Sequence, residues 1–244
     1  MRIIISLFIF TCLLETSFAY SCEHLPYGKP KDSDFVKCRD GYAIGYSYDL
    51  KAAEWVAYTL NKQTWVPVDR QDDFREDTDI PVQFRTYESD YQEPVFHMGH
   101  LANSESLDKS IKQNSETFLM SNMTPQLPGH NTAVWKGLEN RERKWAESRG
   151  SVYIITGGVY RAPVSYIGNR VPVPAMYYKI IYDKANNESL AYLFPHDNIK
   201  TANLDDYLTS IDVIETVSGL NFLSGIEDDD EALIEKVTAP SQWP

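Results

Sequence analysis

The chain has few cysteines and few positive charges, and beyond its first residues it has no long apolar stretch. Three cysteines in 244 residues are too few for a disulfide-dense fold or a cysteine-rich zinc site. The 23 Lys and Arg residues are outnumbered by 35 Asp and Glu residues, which gives a formal net charge of −12. This balance excludes a general basic coat for nucleic acid, because such binding needs Lys and Arg to displace phosphate counterions.

The one long apolar run lies at the N-terminus. Arg2 precedes the run over residues 3–14, and Ser17-Phe18-Ala19 places small residues where a signal peptidase cleaves. The run is shorter than the roughly 20 apolar residues that span a bilayer, so residues 1–19 are predicted to be a signal peptide. We therefore expect a secreted or periplasmic protein without a membrane anchor and with a single domain over residues 20–244.

Export agrees with the remaining cysteines. Cys12 lies in the predicted signal peptide, which leaves Cys22 and Cys38 in the mature chain. In an oxidising compartment an even pair is most simply a disulfide, worth on the order of 3 kcal/mol for a short loop. The sequence therefore predicts a bond between Cys22 and Cys38.

Charge is distributed unevenly along the chain. Residues 97–200 hold 12 Lys and Arg residues and nine Asp and Glu residues, whereas residues 201–244 hold one and ten. The middle is mildly basic, and the acidity lies in the flanks and in a predicted acidic tail over about 226–244. A polyanion is therefore expected to bind locally, at the middle of the chain.

The pattern of apolar residues indicates strands with interspersed helices. The predicted strands are residues 55–60, 117–120, 151–156, 176–182 and 190–194, the last two joined by a turn. The predicted helices are residues 131–148, which end before Gly150, and residues 212–218, where Asp212 and Glu215 have the spacing of a capping box. Without regular βαβ alternation this order indicates the α+β class.

Polar residues between 97 and 143 are the candidates for chemistry. His100 ends a strand-like segment, and a neutral imidazole there suits a general base. Asn131 and Glu139 are eight residues apart on one predicted helix, about 80° around the axis and ~12 Å along it. They cannot both be short ligands of one ion, so Asn131 would bind directly and Glu139 through water, in the style of Mg²⁺. Arg143 can pair with Glu139 or face an anionic substrate.

Each of these residues also has an ordinary structural interpretation. A lone His100 in a strand is usually structural, and Asn131 can cap a helix. Glu139 and Arg143 can form an exposed i,i+4 pair. His97 and His100 point to opposite faces of a strand, which argues against zinc bound by both. Judged singly, none of them establishes a function.

Together these residues resemble a known family. The motifs that carry the resemblance are His100-Leu101, Thr117-Phe118-x-x-Ser121-Asn122-x-Thr124-Pro125-Gln126, and Asn131-x-x-x-Trp135-x-x-Leu138-Glu139. They are similar to those of the DNA/RNA non-specific endonucleases of the ββα-metal, or His-Me finger, type, and the similarity covers roughly residues 40–225. The resemblance implies an α+β fold with a central, mainly antiparallel sheet flanked by helices.

The resemblance also implies a role for each polar residue. His100 would be the general base that activates the attacking water, and Asn131 would be the one direct protein ligand of a single Mg²⁺ or Mn²⁺ ion. Glu139 would hold metal-bound water, Asn122 would orient groups near His100, and Arg143 would stabilise phosphate charge. DNA and RNA would both be cut to 5′-phosphates, because a water nucleophile needs no 2′-hydroxyl.

One position departs from the family pattern. The family usually has Asp-Arg-Gly-His where this chain has His97-Met98-Gly99-His100. Met98 cannot contact phosphate as arginine does, a loss of roughly 2–3 kcal/mol or about 30- to 150-fold in rate. Arg75, Arg70 and a protonated His97 are the candidates for the missing positive charge.

Two other functions are compatible with the sequence. A non-catalytic nucleic-acid-binding or interaction protein on the same fold would explain Met98 and the acidic flanks. A phosphoesterase for small phosphodiesters would use the same polar residues. The sequence is equally compatible with a homodimer and with a protein inhibitor as a partner.

Overall fold

The computed structural model describes residues 22–92, 94–199, 203–227, 230, 234–235 and 243. The strands are β1 (Phe35–Cys38), β2 (Ala43–Ser47), β3 (Ala52–Asn61), β4 (His97–His100), β5 (Met123–Gln126), β6 (Ser151–Val159), β7 (Ser165–Ile167), β8 (Val171–Val173), β9 (Met176–Asp183), β10 (Glu188–Pro195) and β11 (Leu208–Thr209). The α-helices are α1 (Ile111–Glu116), α2 (Lys136–Arg149) and α3 (Ile211–Ser218). The predicted signal peptide and most of the predicted acidic tail lie outside the described residues.

Seven strands form the central sheet. Their order is β1-β2-β3-β6-β9-β10-β11, and every neighbouring pair is antiparallel. Successive side chains of a strand point to opposite faces. On β9, Tyr177 and Ile181 therefore join the core with α2, whereas Tyr178 and Ile180 join the core with α3. We call these two sides of the sheet the α2 face and the α3 face.

The α+β prediction is confirmed, and so is the sheet. Four of the five predicted strands lie within β3, β6, β9 and β10, and the last two form the predicted hairpin. The predicted strand over residues 117–120 is wrong. Thr117 ends α1 and a 3-10 turn begins at Met120, because the buried Asn122 side chain donates to the Thr117 carbonyl oxygen and folds this segment into a tight connection.

Both predicted helices exist, but each begins differently from the prediction. The first begins with a π-helical turn, His130–Trp135, and continues as α2 until Gly150, whose φ of 86° suits glycine. In the second, Ser210 caps α3 by accepting a hydrogen bond from the Val213 N–H. The predicted capping box of Asp212 and Glu215 is wrong.

Strands β4 and β5 form a separate antiparallel pair on the α2 face. His97 lies opposite Gln126, and His100 lies opposite Met123. Gly99 is required here because a Cβ atom on it would meet the Gln126 side chain at 2.2 Å. The Tyr177 hydroxyl of β9 donates to the Pro125 carbonyl oxygen at 2.6 Å and fixes the pair to the central sheet. With the π turn and α2 following, this is a β-β-α unit.

The N-terminal segment is fixed to the sheet by the predicted disulfide. Cys22 and Cys38 are bonded, with their Cα atoms 5.7 Å apart, so this prediction is confirmed. Among the described residues, no helix has the length and apolar character needed to cross a membrane.

Candidate active site

His100 lies at the end of β4 against two aromatic rings, Phe74 and Phe118, which also contact each other. Its ring meets Phe118 edge-on at 5.0 Å between centroids and Phe74 at 5.9 Å. Burial, together with the positive charge of Arg70, lowers the pKa of His100 to about 3. The imidazole is therefore neutral at physiological pH. Its Nε2 atom is buried and has no hydrogen-bond partner among the described residues, as expected for an atom that meets a substrate or a water.

Asn122 fixes the chain that follows His100. Its side chain accepts from the Ala102 N–H at 2.9 Å and donates to the carbonyl oxygens of Ala102 and Thr117. Its own carbonyl oxygen accepts from the Leu101 N–H at 3.1 Å. Since the side chain is fully buried and its bonds go to the backbone, Asn122 orients the loop after His100.

Asn131 lies in the π turn and contacts His97. The Asn131 Nδ2 atom is 3.2 Å from the His97 Nδ1 atom. With the amide nitrogen donating to the imidazole, the amide oxygen is directed away as an acceptor. A π turn is wider than an α turn, so the α-helical angle predicted between Asn131 and Glu139 does not apply to this segment.

Glu139 is a buried carboxylate on the first turn of α2. Only 6% of the residue is exposed, and burial raises its pKa to about 7. Lys179, a hydrogen bond from Asn103 and Arg143 lower the pKa, whereas Glu142 raises it. The carboxylate is therefore held close to its point of ionisation at neutral pH.

Arg143 is directed toward the loop after β4. It donates to Asn103 and Ser106 and forms an ion pair with Glu105 at 3.0 Å. Among the described residues its ion pair is with Glu105, so the alternative of an i,i+4 pair with Glu139 is not realised. Arg143 thus lies at the edge of the site, where its charge lowers the Glu139 pKa without a direct ion pair.

The two candidate arginines of the 70–75 loop differ in their surroundings. The Arg75 guanidinium donates to Asp73 and to the Ser115 carbonyl oxygen and is thereby used to fix the loop. The Arg70 guanidinium also has partners in this region, Asp72 at 2.6 Å and the Ser104 hydroxyl, but it lies 4.7 Å from the centre of the Phe118 ring, which contacts His100. Arg70, and not Arg75, is the positive charge that acts on His100.

The donor atoms suit a hard divalent cation that keeps much of its water. Asn131 offers an amide oxygen and Glu139 a carboxylate, and oxygen is the ligand that Mg²⁺ and Mn²⁺ prefer. His100 contributes a buried Nε2 atom that has no protein partner. Within the part of the chain that the structure describes, no group of three or more His, Cys, Asp or Glu ligand atoms comes together at this site, so it lacks the ligand set of zinc. These residues therefore fit Mg²⁺ or Mn²⁺.

Three buried residues behind the site were given no functional role by the sequence analysis. Lys179 of β9, Glu142 of α2 and Trp135 of the π turn are each fully buried. The inward direction of Lys179 could have been inferred from the sequence, because Lys179 lies on the same face of the predicted strand as the apolar Tyr177 and Ile181. Its partner could not be inferred, since that depends on how α2 packs.

Comparison of the sequence with known proteins matches this chain to a family. A family model described as DNA/RNA non-specific endonuclease matches residues 23–229. A nuclease of a Nostoc species is 29% identical over 234 residues, which cover 87% of this chain and 84% of that protein. Human mitochondrial endonuclease G is 32% identical over 217 residues, which cover 82% and 73%.

A solved structure gives the same result for the fold. The structure, described as an EndoG/EndoGI complex that explains EndoG inhibition, matches with a TM-score of 0.77 and 27% sequence identity. The match covers 85% of this chain and 92% of the other. The chain therefore shares the ββα-metal nuclease architecture that the resemblance implied.

Proposed function

The chain belongs to the DNA/RNA non-specific endonuclease family, and from this premise we propose that it is a secreted endonuclease dependent on one Mg²⁺ or Mn²⁺ ion. The proposed reaction is hydrolysis of phosphodiester bonds in DNA and RNA to 5′-phosphate products. The observation that carries the proposal is the buried, unpartnered Nε2 atom of His100, on a strand joined by contacts to the helix of Asn131 and Glu139.

His100 acts as the general base. Because burial keeps its imidazole neutral, Nε2 can accept the proton of a water that attacks phosphorus. Phe74 and Phe118 hold the ring by its edges, and Asn122 fixes the loop that follows. A fixed ring keeps Nε2 at one place relative to the phosphate, which is how positioning lowers the barrier.

Asn131 and Glu139 form the metal-binding side of the site. Asn131 would be the direct ligand through its amide oxygen, and its contact with His97 sets the direction of that oxygen. Glu139 would hold the same ion through water. When bound, the ion supplies positive charge that stabilises the phosphate and the departing 3′-oxygen.

Arg70 supplies the positive charge missing at Met98. Its guanidinium is close enough to His100 to lower the imidazole pKa, and it lies over the ring that holds His100. Arg143 reaches the same substrate from the α2 side. Arg75 keeps a structural role, because its bonds go to Asp73 and Ser115.

Arg70 can be tested against Arg75 in the same loop. We expect Arg70→Gln to lower kcat/KM for plasmid DNA roughly 30- to 150-fold, the value of one charged phosphate contact. Arg75→Gln should lower stability and leave kcat of the folded enzyme near wild type. Equal kinetic losses in both variants would contradict the assignment.

Two features of the chain support the proposal that it is exported. The N-terminal pattern is that of a signal peptide, and the Cys22–Cys38 disulfide suits an oxidising compartment. Expression of the complete chain should release a protein that begins near Tyr20 into the periplasm or medium. N-terminal sequencing of the released protein checks this, and an intact Met1 on an intracellular product would contradict it.

The proposed activity is tested by incubating the purified protein with supercoiled plasmid and with RNA, each with Mg²⁺, with Mn²⁺ and with EDTA. We expect both polymers to be cut to 5′-phosphate ends, and EDTA or His100→Ala to abolish the reaction. Intact substrates at micromolar protein across pH 6–9 would contradict it. Salt-sensitive DNA binding without turnover would instead identify a nucleic-acid-binding protein.

A further inference from the structure

Lys179 is a fully buried lysine in the middle of β9. Its neighbours on the same face, Tyr177 and Ile181, are equally buried, so the ammonium group lies inside the core of the α2 face. A lysine is almost never fully buried without a partner, because removing its charge from water is unfavourable. Its position therefore requires a specific polar arrangement.

The partner is Glu142 of α2. The Lys179 Nζ atom donates to Glu142 Oε2 at 3.0 Å, and the Tyr58 hydroxyl of β3 donates to Glu142 Oε1 at 3.1 Å. All three side chains are fully buried. One carboxylate thus receives a hydrogen bond from each of two strands and connects the helix directionally to the sheet.

The same ammonium group is connected to both sides of the candidate site. Glu142 lies three residues after Glu139, so it fixes the turn of α2 that carries Glu139. The Lys179 Nζ atom also lies 4.6 Å from the centre of the Trp135 ring. The Trp135 indole donates to the His100 carbonyl oxygen at 3.2 Å. Lys179 therefore connects the helix of Glu139 with the strand of His100.

Packing alone does not require this arrangement. A buried ion pair can usually be replaced by apolar side chains of similar volume without loss of stability. Apolar side chains cannot replace directional hydrogen bonds, which fix the rotation and height of α2 relative to β3 and β9. The ion pair is therefore suited to positioning.

We propose that Lys179 and Glu142 are positioning residues that hold α2 and Trp135 so that His100, Asn131 and Glu139 face the same phosphate group. The proposal rests on the proposed nuclease function. Neither Lys179 nor Glu142 touches the substrate. Groups that orient catalytic ligands from behind typically change activity or metal affinity 10- to 100-fold when removed.

The decisive variant is the triple substitution Tyr58→Phe, Glu142→Met and Lys179→Met. It removes the polar ends of Tyr58, Glu142 and Lys179 together, so none of the three is left without its partner. The loss of Lys179 also removes a positive charge that lowers the Glu139 pKa. We expect thermal unfolding near that of the wild type, kcat on plasmid DNA 10- to 100-fold lower, and little change in KM. Mn²⁺ affinity, measured by electron paramagnetic resonance without substrate, should fall 10-fold or more.

Two further variants keep the test valid whatever the triple variant does to folding. Glu142→Gln retains the shape and the bond from Tyr58, and its kcat should fall 3- to 10-fold. Lys179→Arg retains the charge and should have higher kcat than the triple variant. The control is Lys37→Met, because Lys37 forms an exposed pair with Asp79 at 3.2 Å and its loss should leave kcat unchanged.

The outcomes separate this proposal from the proposed function. If the wild type cuts plasmid and both the triple and Glu142→Gln variants keep wild-type kcat and Mn²⁺ affinity, Lys179 and Glu142 are only part of the core and the inference is wrong. If the wild type is inactive with every metal, the proposed function fails and the inference fails with it. Coupled loss of kcat and Mn²⁺ affinity at unchanged KM supports it.

Discussion

The two faces of the central sheet use the same strands for different purposes. On the α3 face the core cluster consists of apolar and aromatic side chains, such as Ile180, Ile214 and Phe222. On the α2 face the equivalent layer contains a buried ion pair, Lys179 with Glu142. Neighbouring residues of β9 thus enter either an apolar core or a polar network.

This difference between the two faces indicates that one face mainly stabilises the fold and the other carries the candidate site. Burial of apolar side chains on the α3 face stabilises the sheet without directional requirements. The α2 face holds charged groups that are unfavourable to bury unless every partner is in place. The α3 face therefore supplies the rigid support on which the α2 face can hold a site.

The largest expected effect comes from removing Asn131, the proposed direct metal ligand on the α2 face. Asn131→Ala should lower kcat on plasmid DNA by about 10³-fold or more, because a bound cation supplies several kcal/mol of transition-state stabilisation. The matched control on the α3 side is Asn221→Ala, an exposed asparagine whose loss should not change kcat. Steady-state cleavage kinetics measure both, and equal rates in the two variants would contradict the account.

Adjacent isoleucines of β9 compare the two faces most closely. Ile180 and Ile181 are 1% and 0% exposed and belong to the α3 and α2 cores respectively. Each substitution to alanine should cost about 2–5 kcal/mol of unfolding free energy, from lost burial and the cavity that remains. Urea denaturation measures this cost.

The kinetics of the two variants should differ even where their stabilities agree. Ile181→Ala lies in the layer of Lys179 and should lower kcat about 3-fold, whereas Ile180→Ala should leave kcat of the folded enzyme unchanged. The separation of the two faces is wrong if Ile180→Ala has the larger kinetic effect.

A smaller effect is expected from the buried carboxyl group of Glu139. Its pKa is raised from 4.5 to about 7, so the folded metal-free protein binds a proton more tightly than the unfolded chain. Stability from this group is therefore lost as pH rises from about 4.5 to 7, by up to about 3 kcal/mol. Glu139→Gln should remove this pH-dependent loss of stability. Urea denaturation of the wild type and the variant, each between pH 4.5 and 8 with EDTA, measures the difference in their free energies of unfolding.

Glu215 on the α3 side is the matched carboxyl group. Burial also raises its pKa, but it is partly exposed and accepts a hydrogen bond from the Phe222 N–H. Glu215→Gln should therefore change the pH dependence of stability less than Glu139→Gln does. A larger change for Glu215 would mean that the burial of charge is not concentrated on the α2 face.

Much of the sheet could be predicted because its signal is local. β6, β9 and β10 are rich in β-branched and aromatic residues, and the turn between β9 and β10 has turn-forming residues. The segment at residues 117–120 has the same composition and is not a strand. Its conformation depends on Asn122 bonding back to the Thr117 carbonyl oxygen, a contact that composition does not encode.

The candidate site was predictable in its residue types but not in its connections. His100, Asn131 and Glu139 are marked by motif spacing, whereas the choice between Arg70 and Arg75 depends on which guanidinium lies near His100. The π turn before α2 was missed, because the segment that leads into it is held by distant acceptors: the Leu127 N–H bonds to His196 and the Gly129 N–H to Asn198. Tertiary contacts therefore determine both the arginine near His100 and the π turn.

The central claim is that His100 on the α2 face is the general base, and chemical rescue tests it most directly. His100→Ala leaves a space beside the rings of Phe74 and Phe118 that a free imidazole can enter. With Mg²⁺ present, plasmid cleavage by this variant should be near zero and should return as imidazole is added. The rate should rise with the pKa of substituted imidazoles. Cleavage by His100→Ala at the wild-type rate without imidazole would contradict the claim.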